Sequence, residues 1–541
     1  MLKNLHRILI GRPLSSADLK GEALPKWKAL PIFSSDALSS VGYGPEQIAI
    51  ILAAASLYAY FSWIVIAITI LLAVVATSYS QVIKVHPEGG GSYAVAKEYL
   101  GRTPALIAGA ALLADYTLTV AVSVSSGTAA FVSAFPALLP YAMAINLFVL
   151  FCLLMLINLR GVRESSTVFV WPTYAFVFGM LVLIGCGLYQ LSSGAAVPAT
   201  VESVTPAISN VTIFYLLHAF ANGCSSMTGV EAISNGVSVF KKPQDTNAIK
   251  TTVYMAVLLG IMLLGISYLT LTHHLLPMEN TTLLSTLAKS IFGQTIFYYF
   301  IQIATMLILY LAANTSYNGL PPLLSLMADD GYVPRYLRNR GDRLSYDNSI
   351  IFLTIAAAAL LYLFHGNVDH LISLYALGVF ISFTIAQLGL VVHRFKTRTK
   401  GWQLGALINA FGASITFTVI VIIILTKFLY GAWIIMVFIP FAVYIFTKIR
   451  SHYDDVKAQL LLTDAEYAEV KEKELGKNYI IIPLDSPTRT IVRTLRYAKI
   501  IDNGNHHISA VHINTNEEYA ARVKQVWHDL EPDLPLTLIA S

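Results

Sequence analysis

This chain is poor in charge. Only 12% of its 541 residues are Asp, Glu, Lys or Arg, about half the 25% typical of soluble domains. Such a surface cannot be solvated all round, so an ordinary water-soluble fold is excluded. Cysteine is scarcer still, at three residues. Cys152, Cys186 and Cys224 all lie in apolar stretches, which gives neither a disulfide framework nor a zinc-ligand spacing. No nucleophile-plus-base pattern occurs, so catalysis has no recognisable apparatus. The segment "HPEGGGSYA" (86–94) has the glycines of a phosphate loop without its Lys-Ser/Thr ending. It follows an apolar helix rather than a strand and reads as a cytoplasmic turn. His273, His274, His365 and His370 fall near expected outer helix ends, where interfacial placement is commoner than metal ligation. Met1–Leu30 is basic without an apolar core followed by small residues, so it does not read as a cleavable signal peptide.

What is present is apolar. The composition is 56% hydrophobic and the mean hydropathy is +0.64. Windows of about twenty apolar residues suggest membrane helices. Twelve occur, at 34–56, 60–83, 104–134, 144–160, 165–191, 211–238, 251–273, 291–318, 348–365, 368–393, 404–426 and 429–447. Lys and Arg cluster in the N-terminal segment and then in alternate loops; Lys289 and Lys427 are the exceptions. By the positive-inside rule the basic loops are cytoplasmic, and an even span count makes both termini cytoplasmic.

The expected organisation is a cytoplasmic N-terminal segment (1–33), a transporter domain (34–447), a charged helical linker (448–477) and a C-terminal α/β domain (478–541). In that last part "NYIIIPLD", "HISAVHIN" and "LPLTLIA" read as strands, with helices over 488–501 and 516–530 between them. Alternation of this kind predicts a parallel sheet. Some sixty residues make about half a usual α/β domain, so the sheet is expected to be completed by further chain or by a partner. "PLDSPTRT" (483–490) is a strand-to-helix turn that could offer N–H groups to phosphate, with Arg489 as a candidate nucleotide contact.

Acids at bilayer depth cost about 2.5–3.5 kcal/mol each on insertion scales. Asp36, Asp115 and Glu231 lie within spans, Glu46 follows Pro45 toward the outer end, and no Lys or Arg stands near mid-span to pair them. Acids so placed require a cation or a proton. Ser39, Ser40, Gly42 and Gly44 loosen the first span, and "NGCSSMTGVEAISNG" (222–236) loosens the sixth. Two interrupted helices five spans apart mark an inverted-repeat transporter, whose unwound backbone faces the ligand. Close helix packing explains glycine and serine alone; acids beside both breaks favour a site. In the third span Asp115, Thr119 and Ser123 recur every four residues, one stripe of oxygens beside Tyr116. Oxygen ligands suit a hard cation. An amino-acid carrier would aim the same breaks at a carboxylate, which these acids would repel.

The segments "SSDALSSVGYG", "PEGGGSYAVAKE", "ADYTLTVAVSVSSGT", "CSSMTGVEAISN", "ILYLAANTSYNGLPPLL" and "RGDRLSYDNSIIFL" resemble the bacterial potassium importers of the KUP type, in the amino acid–polyamine–organocation superfamily. The resemblance covers the membrane region and runs into the tail. It implies an α-helical polytopic protein with twelve transmembrane helices in a LeuT-like 5+5 inverted repeat, with a cytoplasmic domain similar to universal stress proteins. It implies proton-coupled potassium uptake across the bacterial plasma membrane by a homodimer, inhibited by cyclic di-AMP. No cofactor and no nucleic-acid partner are implied; the partners are potassium, protons, the regulator and membrane lipid. Carried over, the cation site uses Asp36, Tyr43, Asp115, Tyr116, Thr119, Ser123, Thr228, Glu231 and Tyr375. Tyr43, Thr228 and Tyr375 enter on the resemblance alone. Glu231 is the proton-coupling candidate. The rival readings are an amino-acid or polyamine carrier on the same fold, a membrane-anchored sensor and an intramembrane enzyme.

Overall fold

The computed structural model describes residues 24–87, 89–161, 170–194, 212–278, 280–398, 401–461, 479–484, 489–502, 507–514, 517–530 and 534–540. It divides into two compact units, Met1–Tyr453 and Asp454–Ser541.

The described residues of the first unit form helices, apart from isolated bridges at Leu24–Phe240 and Met278–Thr281. In chain order it holds α1 (Lys26–Ser39), α2 (Gly44–Ala54), α3 (Phe61–Val85), α4 (Gly91–Tyr99) and α5 (Arg102–Ala134). Next come α6 (Pro136–Leu159, with a π-turn over Val149–Met155), α7 (Val170–Ser192), α8 (Thr212–Gly223) and α9 (Ala232–Asn235). Then follow α10 (Gln244–Thr272), α11 (Leu283–Phe292), α12 (Ile296–Asp329), α13 (Asp347–Leu363), α14 (Val368–Thr397), α15 (Trp402–Lys427) and α16 (Ala432–Leu460). Among the described residues nine helices are long and apolar enough to cross a membrane. Three of the twelve expected spans fall short of that length: the pairs α1/α2 and α8/α9, which are broken, and α13 with 17 residues.

Burial sorts the helices. α5 is covered almost throughout, packing against α12 and α14. α15 turns Leu404, Leu407, Phe411 and Leu425 outward, an apolar stripe at helical spacing that suits lipid contact. On α7 the exposed aromatics Trp171 and Tyr189 stand near the two ends. Their 18-residue separation spans ~27 Å of helix, close to the thickness of a hydrocarbon core with interfacial aromatics at both boundaries.

Several expected boundaries move. The first helix begins at Lys26, two turns before the expected 34, because Ala29, Leu30 and Ile32 continue its packing face. α12 runs on to Asp329 through Pro321 and Pro322, rather than ending near 318. The "HPEGGGSYA" segment is a turn followed at once by α4, with Gly89, Gly90 and Gly91 all at positive φ. His273, at the end of α10, is buried, with its Nδ1 3.4 Å from Ser290 Oγ.

The second unit contains β1 (Ile480–Pro483), α17 (Arg489–Asp502), β2 (Ile508–Asn514), α18 (Glu517–Leu530) and β3 (Leu536–Ala540). The strands lie parallel in the order β1-β2-β3, pairing Ile480 with Ile508 and Ala510 with Leu536. Residues of both helices pack into one core on a single face of the sheet, as two same-handed parallel crossovers dictate. Ile482, Ile508, Ala510, Ile491, Leu495 and Trp527 form the core between helices and sheet. Residues 485–488 and the Arg489 side chain lie outside the described residues, so the expected phosphate turn has no geometry to report.

Candidate cation site

Both helix breaks are local consequences of sequence. α1 ends in serines whose hydroxyls bond back to the preceding turn: Ser39 Oγ donates to Asp36 O at 2.9 Å and Ser40 Oγ to Ala37 O at 2.6 Å. Such bonds compete with the helical ladder. A short 3₁₀ turn (Ser40–Gly42) follows, Tyr43 breaks helical geometry at φ −126°, and α2 restarts at Gly44 with Pro45 in its first turn, where proline is tolerated. In the sixth span α8 gives way to a 3₁₀ turn (Cys224–Met227). Thr228 is extended and Gly229 sits at φ +81°, a left-handed conformation that favours glycine. The two breaks are tied together, since Ser40 Oγ also donates to Ser226 O at 2.8 Å.

Asp36, Asp115 and Glu231 are drawn together where these breaks meet α5. All three are buried, at 3%, 1% and 3% exposure. Asp115 and Glu231 stand within hydrogen-bond reach of each other, and Asp36 lies close enough to interact with both. One oxygen of each acid, Asp36 Oδ1, Asp115 Oδ1 and Glu231 Oε2, finds no hydrogen-bond partner among the described residues. No salt bridge among the described residues involves any of them. Two carboxylates in contact in a dry site cannot both stay ionised without a cation or a proton between them.

The other expected residues surround the acids. Tyr43 OH lies 3.5 Å from Thr228 Oγ1. Thr119 Oγ1 lies 2.7 Å from Tyr375 OH, and also donates to Asp115 O at 2.9 Å, so it serves both its own helix and the site. Tyr116 stands beside Glu231 and Asp115. Ser123 is buried one turn further along the Asp115–Thr119 face. Glu46 lies apart, lining a cavity on the side away from the basic loops.

Two participants had not been expected. Tyr79, on α3, is buried close enough to Glu231 and Asp115 to feel their charge. The run of polar residues "TSYSQ" (77–81) inside an apolar helix is the signal that marks it. Asn235 Nδ2 donates to Tyr116 OH at 2.5 Å, and Gly91 presses against the Asn235 side chain. Together these close the site toward the basic loops. Among the described residues no three His, Cys, Asp or Glu side chains form a tight metal-holding group. A bound ion would therefore take hydroxyl and carbonyl oxygens along with the carboxylates, the mixed oxygen shell that suits a large monovalent cation.

A polytopic helical bundle with two facing helix breaks over unpaired buried acids defines a membrane transporter. The family model "Amino acid permease" matches residues 26–447, and the model "KimA potassium transporter C-terminal domain" matches 476–541. The chain is 43% identical over 544 residues to the potassium transporter KimA of Bacillus subtilis (strain 168), an alignment covering 100% of this chain and 88% of that protein. The chain belongs to the amino acid permease family, in the group of the potassium transporter KimA. It is a transport protein, not an enzyme.

Proposed function

We propose that this protein imports potassium across a bacterial plasma membrane, coupled to protons. The observation that carries the reading is the meeting of Asp36, Asp115 and Glu231 at the two helix breaks, buried and without a basic partner. The relationship to KimA supports potassium as the ion. The cation would be held by Asp36, Asp115, Thr119, Ser123, Thr228 and Glu231, with the hydroxyls of Tyr43, Tyr116 and Tyr375 closing the shell. Glu231 would carry the coupled proton, since it shares a contact with Asp115 and sits on the unwound segment.

The twelve-span, LeuT-like 5+5 arrangement with both termini cytoplasmic is part of this reading. Nine long helices plus two broken pairs and α13 add up to it, and the basic loops alternate accordingly. The tail is read as a domain similar to universal stress proteins and as a dimer contact. Its sheet is covered by helices on one face, while Ile481, Ile513 and Ile539 on the other are 62%, 58% and 48% exposed. Parallel sheets are normally covered on both faces, so a second copy is the proposed cover. Cyclic di-AMP is the proposed inhibitor, bound where β1 runs into α17.

The test is potassium uptake into proteoliposomes of the full chain, with and without an inward proton gradient. The expected result is uptake that falls when the gradient is collapsed and when cyclic di-AMP is added. Uptake indifferent to the gradient would indicate a uniporter. The name of the family model, amino acid permease, favours an amino-acid carrier as a second reading, with a polyamine carrier on the same fold as its variant. An amino acid's carboxylate would face three acids, so of the two only a polyamine fits, and competition by spermidine separates it from potassium.

A further inference from the structure

On the side away from the basic loops a cavity of about 740 Å³ reaches down to Gly42 and Tyr43. Two carboxylates line it, Glu46 from α2 and Asp369 from the first turn of α14, and among its described lining residues there is no lysine or arginine. Gln47 Nε2 donates to Asp369 Oδ1 at 2.6 Å, which fixes that side chain and leaves its second oxygen available. Glu46 is close enough to Asp369 for the two charges to interact.

Acids at a cavity mouth are commonplace; the polar atoms beneath them are not. Ser125 Oγ, Ser126 Oγ and Asn146 Oδ1 all belong to residues lining the cavity. Their residues are only 3%, 4% and 3% exposed, and each of the three atoms lacks a hydrogen-bond partner among the described residues. An unpartnered buried hydroxyl or amide costs about 1–3 kcal/mol, so three in one place are costly unless something occupies the space. Ser125 and Asn146 converge there: a Cβ on Gly366 would lie 3.0 Å from Asn146 Nδ2 and 3.7 Å from Ser125 Oγ. Ser126 also continues the polar face of α5 from Asp115, Thr119 and Ser123, at spacings of four, four and three residues. That face leads from the cavity to the acids.

We infer that this cavity is a second cation site, in which a partly dehydrated monovalent cation is held above Tyr43 before it passes to the central acids. Neutral oxygens outnumber the carboxylates, and the single histidine, His365, has no cysteine or second histidine beside it in the lining, so the donor set is that of a hard ion. A cavity of one charge sign between low-dielectric walls concentrates counter-ions and speeds their capture. The inference rests on the transport reading for its direction of flow, not for the site itself.

Two measurements test it on the full-length protein. Glu46→Gln and Asp369→Asn should each raise the KM for potassium in proteoliposomes roughly three- to tenfold, at the low end of what field focusing gives, with Vmax largely kept. The difference should narrow as ionic strength rises. An unmoved KM with a lowered Vmax would show a structural role and overturn the site. The second measurement uses thallium(I) as a heavy monovalent stand-in, located by anomalous scattering in Asp115→Asn protein, where the central site is disabled. Thallium beside Ser125 and Asn146 is expected. A cavity without thallium, or one that takes up only calcium, overturns the inference. Thallium in the cavity of a wild-type protein that moves no potassium would sink the transport reading and leave this site standing.

Discussion

Gly229 holds its bare Cα against Asp36: a Cβ there would stand 2.5 Å from Asp36 Oδ2. The same residue sits at φ +81°, where an L-residue is strained by about 1–2 kcal/mol. Glycine is thus required twice, once for the turn and once for the carboxylate beside it. Gly229→Ala should leave the bundle folded and push Asp36 aside. Potassium uptake should fall at least about tenfold, the effect of roughly 1.4 kcal/mol, while size-exclusion behaviour stays normal. Uptake with wild-type KM would show that Asp36 does not touch the ion.

Asp115 is the acid most deeply enclosed, on the most buried span, in contact with Glu231 and interacting with Asp36. Asp115→Asn keeps the volume and removes the charge. The central cation then loses one charged ligand, about 2–3 kcal/mol, or on the order of a hundredfold in affinity. Removing one of three crowded acids also relieves repulsion, so the variant should melt no lower than wild type. Isothermal titration with potassium reads the first effect and a thermal melt the second. Full affinity in the variant would place the ion elsewhere.

The basic-loop side is fastened by Asp330. Its Oδ1 accepts from Lys97 Nζ at 2.6 Å, its Oδ2 accepts from Tyr93 OH at 2.7 Å, and its backbone carbonyl accepts from Arg450. The ion pair alone, half exposed on the lysine side, is worth about 0–1 kcal/mol. With the tyrosine it clamps α4 to the end of α12. Asp330→Asn should loosen that clamp by about 1 kcal/mol, a factor of about five in the open population. Maleimide labelling of Ser382→Cys, which replaces a buried partner of Ser92, reads this in a background without Cys152, Cys186 and Cys224. Labelling should rise several-fold from the basic side; an unchanged rate would remove Asp330 from the gate.

Asp36, Asp115 and Glu231 were legible in the sequence because an acid in an apolar run has few explanations. The strands and helices of the tail were legible too, since β1, β2 and β3 are short branched-chain runs separated by amphipathic helices. Tyr79 was not, because tyrosine is at home on any membrane helix and only its neighbours in space give it a role. Gly91 hid for a similar reason: its sequence motif resembles a phosphate loop, while its partner Asn235 lies far along the chain. α12 crosses Pro321 and Pro322 because packing on α5 and the 3₁₀ turn Arg335–Arg338 holds it, a tertiary effect that local rules predict as a break. The vestibule escaped notice because Ser125, Ser126 and Asn146 are ordinary residues until they share a cavity.

Lys427 departs from the charge pattern of the loops, and its position explains why. It closes α15 but is fully buried, beside Cys224 and His218, and its Nζ finds no hydrogen-bond partner among the described residues. It is not a loop charge at all. A lone ammonium in such surroundings is costly, and apolar side chains of similar size often stabilise a protein when they replace buried charge. Lys427→Met has nearly the same length and fills the same channel between α15 and α8. The expected gain is about 1–3 kcal/mol, read as a melting temperature a few degrees higher in detergent. Potassium uptake should persist, since no contact joins Lys427 to the three acids. A lower melting temperature would show that the amine is held by a partner of opposite charge. Lost uptake with a raised melting temperature would instead give Lys427 a place in transport, as a fixed cation beside the break that opens at Cys224.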